Sequence, residues 1–382
     1  MNFQPLKDFL DFYLPMLGVP GSDTVIYKDH EQIFRYQSGY DSLRFHTPVR
    51  SNALYHIYSI SKISTAVAAT QLIERGEILA NDPVYAYLPE FKDMMVKHKL
   101  PNGDFELRPA KKPVLVKHLL TMTSGMDYNL SAPGILSAKE RTLGRCPTLE
   151  MVRAMAKEPL CFEPGDEFQY SLSLDVVGGL VELVSGVSLS EYMQKNIFDV
   201  LGMENTSFDL TEDRLSRMAT KYEYDPERRC AVEVPTDQNP YVFGPDYVSG
   251  GAGLISCVDD QILLADALSN GGVGKNGNRI LSRYGVDLMR SNNLNQNMMD
   301  YLGANYAATG YGYGYGVRVN VNPGKEGNLA PVGQFGWDGA KLCVMGCDPE
   351  NRIAFFHAEH MGGLHRVVIP RLRNIIYSCI GD

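Results

Sequence analysis

The sequence predicts an α+β fold: an antiparallel sheet flanked by N- and C-terminal helices, with a mainly helical domain inserted between its halves. Three observations predict it. Strand-like runs cluster near the two ends of the chain, a helical pattern opens the chain and another closes it, and the stretch between is rich in proline and short helical runs. The expected division is a sheet domain made of 1–80 and 241–382, with a helical insert over 81–240. No internal repeat and no low-complexity linker interrupts it.

Each element has its own signal. Phe3, Leu6, Leu10 and Leu14 recur at helical spacing and predict an amphipathic first helix. TVIYKDHEQIFRY then sets two β-rich runs around Lys28-Asp29-His30-Glu31, which reads as an antiparallel hairpin. ISKISTAVAATQLIER at 60–75 is rich in small residues and stops at Gly76, as a helix does at a glycine. In the insert, SLDVVGGLVELVSG and SLSEYMQKNIFDVLG are helices closed by Gly186 and Gly202. Late in the chain, YGYGYGVRVNV alternates with period two and reads as a strand with Tyr311, Tyr313 and Tyr315 on one face. KLCVMGCDPENRIAFFH reads as two strands around a Cys347–Asn351 turn, and RVVIPRLRNIIYSCI as a closing helix in which Pro370 argues against an unbroken run.

Composition excludes several classes. With 44% hydrophobic and 21% charged residues the chain builds an ordinary globular core. A balance of 36 basic against 45 acidic residues, net −9, argues against a nucleic-acid partner. No apolar run reaches the roughly 18 residues a membrane span needs. Lys7, Asp8 and Asp11 interrupt the opening segment, and no basic stretch precedes an apolar one, so a secretory leader is not expected. Seven scattered cysteines are odd in number and form no C-x-x-C pair, which points to free thiols in a reducing cytoplasm and away from a structural zinc site.

Three segments carry candidate chemistry. Ser59-Ile60-Ser61-Lys62 places a serine and a lysine three apart on one helix face. A serine hydroxyl needs a base, and a lysine kept neutral by burial can be one. Alone the motif is weak, since a surface serine and lysine share it. Tyr170 opens a helix, where a tyrosine works as acid or base if positive neighbours lower its pKa; the plainer role is packing. Phe335-Gly336-Trp337-Asp338-Gly339-Ala340 precedes an apolar strand, where glycine marks close approach and a main-chain N–H can face an oxyanion; the plainer role is a turn.

Taken together, these segments resemble the class C β-lactamase-like serine hydrolases, which include penicillin-binding proteins and family VIII carboxylesterases. The resemblance rests on YSISK at 58–62, HLLTMTSGM at 118–126, EPGDEFQYSLSLDVVGGLVE at 163–182, SGGAGLIS at 249–256, GYGYGYGV at 310–317 and FGWDGA at 335–340, in the same order over about 20–360. It implies a β-lactamase/transpeptidase-like fold with the site in the cleft between sheet and insert. It implies Ser59 as acyl-accepting nucleophile, Lys62 and Tyr170 sharing the proton traffic, the N–H groups of Ser59 and Ala340 as oxyanion hole, and no cofactor or metal. Loops near 125–145 and 225–248 are expected to shape the pocket.

Two departures bear on the substrate. The tyrosine box of β-lactamases ends in Asn, where this chain has Leu172. Their third box begins with a carboxylate-binding Lys, where this chain has Trp337. Family VIII carboxylesterases resemble this chain at both places. With Leu172, Trp337, Asp338 and Gly339 as substrate-binding residues, the expected partner is a small neutral ester, ahead of an amide. Asp338 is unusual for the family, and its side chain either faces the oxyanion hole or points away. The alternatives are a β-lactamase or D-amino-acid peptidase, an acyltransferase on the same scaffold, and a binding protein with a fossil site.

Weaker signals fall away. Gly272–Gly277 fits G-x-G-x-x-G but follows a helix and reads as a loop. No G-x-S-x-G occurs, and no histidine lies in the matched boxes, so neither a nucleophile elbow nor a Ser-His-Asp triad is supported. His357 and His360 sit at a strand end, and His118 reads as structural.

Overall fold

A computed structural model describes residues 1–381. Eight strands form one antiparallel sheet: β1 Gly21–Lys28, β2 Glu31–Ser42, β3 Thr47–Pro48, β4 Tyr311–Tyr313, β5 Arg318–Asn320, β6 Phe335–Asp338, β7 Cys343–Asp348 and β8 Ile353–Ala358. Their order is β4-β5-β6-β7-β8-β1-β2-β3. The two ends of the chain meet at its centre, where Asp23 of β1 pairs with Ala358 of β8. The α+β architecture expected from the sequence is the one adopted.

Five helices matter for the site: α1 over 4–16, α2 Ser61–Glu74, α3 Ser173–Ser185, α4 Val258–Ser269 and α5 His365–Ile380. On one sheet face, Leu6, Leu10 and Leu14 of α1 and Val368, Leu372 and Ile376 of α5 pack with Ile26, Val344 and Phe355. On the other, Val25, Met345 and Phe356 join the main core with α2, α3 and α4. Helices on both faces explain why β8 is buried along its length and does not alternate. The helix α2 is buried nearly all round, which its small residues permit and an amphipathic helix would not.

One expectation needs correction. GYGYGYGV is not one strand. The chain reverses at Gly314–Gly316, so Tyr315 lies in the turn between β4 and β5. Gly316 has φ +69°, and a Cβ on Gly314 would stand 2.0 Å from the Met289 carbonyl. The alternating glycines mimic strand periodicity while supplying the freedom to turn. The expected closing helix forms, and Pro370 does not break it. Burial of Ile369, Leu372 and Ile376 holds α5 continuous through it.

The segment 81–240 carries α3 and several shorter helices together with two hairpins, Met95–Lys99 with Phe105–Pro109 and Lys221–Asp225 with Cys230–Val234. The second hairpin pairs through Tyr222 and Glu223 with Met361–Gly362, just before α5. No single helix among the described residues is long and apolar enough to cross a membrane.

Candidate active site

Ser59 sits in a single tight turn, Tyr58–Ile60, that leads into α2. Two contacts hold the turn. The Ile57 N–H donates to Leu254 O (3.1 Å), and Tyr55–His56 pairs with Ile255–Ser256. Tyr58 has φ +46°, a left-handed conformation costly for a tyrosine and typical of residues that the surrounding fold forces into a functional turn.

Lys62 follows one turn later and is fully buried. Its Nζ lies 3.1 Å from Ser59 Oγ, donates to Gly251 O at 2.8 Å, and stands 3.4 Å from the Tyr128 hydroxyl and 4.6 Å from the centre of the Tyr170 ring. Burial pulls its pKa down to about 7, against a smaller opposing pull from Asp175. Asp175 is itself buried. It accepts hydrogen bonds from Ser249 Oγ (2.7 Å), Tyr247 Oη (2.9 Å) and the Gly251 N–H (3.3 Å), and so holds the loop whose carbonyl meets Lys62. Gly251 has no room for a side chain, since a Cβ there would stand 2.3 Å from Asp175 Oδ2.

Tyr170 reaches the site from the loop before α3. That loop is tied to the TSGM segment by Gln169 N–H to Met122 O (2.9 Å) and by buried hydroxyl contacts of Ser173 with Ser171 and Ser124. Its ring is sandwiched between Tyr128 (5.6 Å) and Trp337 (5.4 Å), and its hydroxyl oxygen accepts from Trp337 Nε1 (3.0 Å). Lys62 lies over its ring, yet burial dominates its pKa. Burial holds it well above the ordinary tyrosine range, although hydrogen bonds with Ser59 and Trp337 pull the other way. A tyrosine held this way keeps its proton at neutral pH and can donate it.

Ala340 follows β6 against the Ser59 turn. Close approach explains Gly339: a Cβ there would lie 2.3 Å from Ile57 O. The Gly339 N–H is used by Cys343 O and the Gly339 carbonyl by His365 Nε2, both at 2.8 Å. Among the described residues neither the Ser59 nor the Ala340 N–H has an acceptor within the chain. Two free amides flanking a serine can receive a developing oxyanion.

A cleft of about 320 Å3 opens over these groups, walled by Tyr128, Tyr170, Tyr241, Tyr306 and Trp337. Ser59, Asp338, Gly339 and Ala340 line it as well. Asp338 does border the cleft, but its carboxylate is ion-paired with the buried Arg318, whose guanidinium also lies over the Trp337 ring at 5.4 Å. Leu172 is a correction. It is buried at the head of α3 and lines a separate small cavity with Met126, Ile135 and Leu160, so its side chain is a core group. Tyr311, Tyr313 and Tyr315 are buried, and Tyr313 supports Trp337 edge-on from behind (5.2 Å).

Tyr128, Tyr241, Tyr306 and Asp175 were not singled out in the sequence. Tyr128 and Tyr241 fall in the two loops expected to shape the pocket, and Tyr128 follows TSGM by two residues. Tyr306 carries no signal. His357 is engaged by Thr24 (2.7 Å) and Glu359 (3.0 Å), and His360 by Ala219 O (2.8 Å). No cluster of three or more metal-ligating side chains occurs among the described residues.

A serine and a buried lysine at the head of a central helix thus face the end of an interior strand and a tyrosine from a helical layer, within an α+β fold. The chain belongs to the Beta-lactamase family, whose model matches residues 7–358. It is 30% identical over 336 residues to protein Rv1367c of Mycobacterium tuberculosis, covering 86% of this chain and 82% of that one. It is 31% identical over 270 residues to esterase EstB of Burkholderia gladioli, covering 65% of each. Its fold superposes with a TM-score of 0.79 on EstCE1, described as a hydrolase with promiscuous acyltransferase activity, at 24% identity over 98% of this chain and 99% of that one.

Proposed function

We propose that the protein is a serine carboxylesterase working through a Ser59 acyl-enzyme. The observation that carries this reading is Lys62: fully buried, 3.1 Å from Ser59 Oγ, and brought by burial to a pKa of about 7. Such an amine is half neutral at physiological pH and accepts the serine proton as Oγ attacks an ester carbonyl. The oxyanion would meet the Ser59 and Ala340 N–H groups. Tyr170, held neutral by burial, hands its proton to the leaving alkoxide and regains one from Lys62. Water then attacks the acyl-enzyme by the same route in reverse.

Esters are favoured over β-lactams and peptides because Trp337, in the cleft wall, offers no cation to a substrate carboxylate. The esterase relative EstB supports the same choice. The aromatic walls of the cleft favour a second reading, transfer of the acyl group to an alcohol held there in place of water, in line with the description of EstCE1. The seven free thiols support a cytoplasmic location.

The test is mass spectrometry after exposure to a fluorophosphonate, p-nitrophenyl butyrate and a penicillin. A fluorophosphonate adduct on Ser59, butyrate turnover faster than penicillin turnover, and loss of both adduct and turnover in folded Ser59→Ala are expected. Butyrate hydrolysis surviving in Ser59→Ala would overturn the mechanism.

A further inference from the structure

Beside the Ser59 cleft lies a larger cavity of about 520 Å3. The two share Tyr241 and Ala340, so they adjoin at the oxyanion-hole residue. Their chemistry differs. The second cavity has two lysines in its wall, Lys221 from the Lys221–Asp225 strand and Lys341, next in the chain to Ala340.

Both lysines are nearly buried, at 4% and 8% exposure. Lys221 has no carboxylate paired with it among the described residues; its Nζ donates to the Gln238 carbonyl at 2.5 Å. Lys341 pairs with Glu223, whose side chain is 53% exposed. The carboxylate acting on Lys221 is Asp237, which is exposed. Burial and then the charge of Lys221 pull the Lys341 pKa down to about 8, and burial lowers that of Lys221. Behind them His56 is neutral, its pKa pushed down to about 4 by burial. Glu223, also in the cavity wall, answers the charge of Lys341, while Lys221 has no paired carboxylate among the described residues, a charge deficit that a ligand carboxylate would make good.

The side of the ester that enters this cavity follows from the cleft. The leaving oxygen must come within reach of Tyr170, which lines the aromatic cleft and not the lysine cavity. With the carbonyl oxygen at the Ser59 and Ala340 amides, the acyl chain then points past Ala340 and Tyr241. We propose that the acyl group carries a distal carboxylate received by Lys221 and Lys341, so that the substrates are monoesters of dicarboxylic acids. This deepens the serine-esterase reading and rests on it. In the first half-reaction the ester C–O bond breaks, the Ser59 Oγ–C bond forms, and the serine proton leaves with the alcohol. In the second, water adds across the acyl-enzyme, releasing the free dicarboxylate and restoring the serine.

The experiment compares mono-p-nitrophenyl adipate with p-nitrophenyl hexanoate, a neutral counterpart. The wild-type protein should favour the adipate ester in kcat/KM. In Lys341→Gln the adipate-to-hexanoate ratio should fall about tenfold, the scale of one lost charge-assisted hydrogen bond. Free adipate should also inhibit hexanoate hydrolysis competitively in the unaltered protein, a measurement that needs no variant to fold. An unchanged ratio, or no inhibition by adipate, would overturn the proposal while Ser59-dependent hexanoate hydrolysis left the esterase reading standing. Hexanoate hydrolysis that does not depend on Ser59 would remove both.

Discussion

Two buried cations flank the same cleft, and they are treated oppositely. Arg318 reaches Asp338 across the sheet; burial alone would lower its pKa, and the carboxylate holds it above the ordinary arginine value. Lys62 meets a carbonyl, a serine and a tyrosine hydroxyl, with no carboxylate in contact, and burial carries its pKa down to about 7. The lesson is that burial by itself does not make a base. Deep burial with no paired carboxylate carries a cation's pKa toward the neutral range, and Asp175 spends its hydrogen bonds on the loop that supports Lys62.

The largest effect should come from erasing the difference. Lys62→Arg keeps a cation but one that stays protonated, so it should behave like Arg318. Ester turnover should fall by about 10²–10⁴, the span for loss of a general base, with Ser59 present but unlabelled by fluorophosphonate. Labelling at the wild-type rate would mean that Lys62 is not the base.

Next is the paired cation. Arg318→Met leaves the Asp338 carboxylate partly buried without its partner, and thermal or urea unfolding should show a loss of about 3 kcal/mol. Arg318→Met with Asp338→Asn should recover most of it. Failure to recover would show that the arginine acts through its contact with Trp337.

The mildest test is pH. The limb of kcat/KM set by Lys62 should rise tenfold per unit below about 7 and level off above it. Stability shows the same group. Its folded pKa lies below the unfolded 10.5, so between about 7 and 10.5 the unfolded chain binds the extra proton and Lys62 makes stability rise with pH. Lys62→Met should remove that contribution from the unfolding profile.

Much of this was legible in the sequence. The Ser59–Lys62 spacing placed both groups on one helix face, and the β1–β2 hairpin and both terminal helices followed from local periodicity. The Met95–Pro109 hairpin carries a turn signal of its own, Asn102-Gly103, within a stretch whose other signals are helical. Leu172 was misplaced: matching a motif position says where a residue sits on the backbone, and packing decides where its side chain points.

The sequence by itself determined the opening hairpin, the terminal helices, the serine-lysine pair and the small residues that the site geometry demands, because these depend on neighbours within a few residues. Tertiary structure alone decided that Lys62 is buried without a paired carboxylate, that Tyr170 is buried between Tyr128 and Trp337, that Asp338 is paired with Arg318, and that Tyr241 and Ala340 join the cleft to a cavity walled by two lysines. Each of those depends on burial and on partners tens to hundreds of residues away in the chain, and an electrostatic environment is summed over space, whatever the order of residues along the backbone.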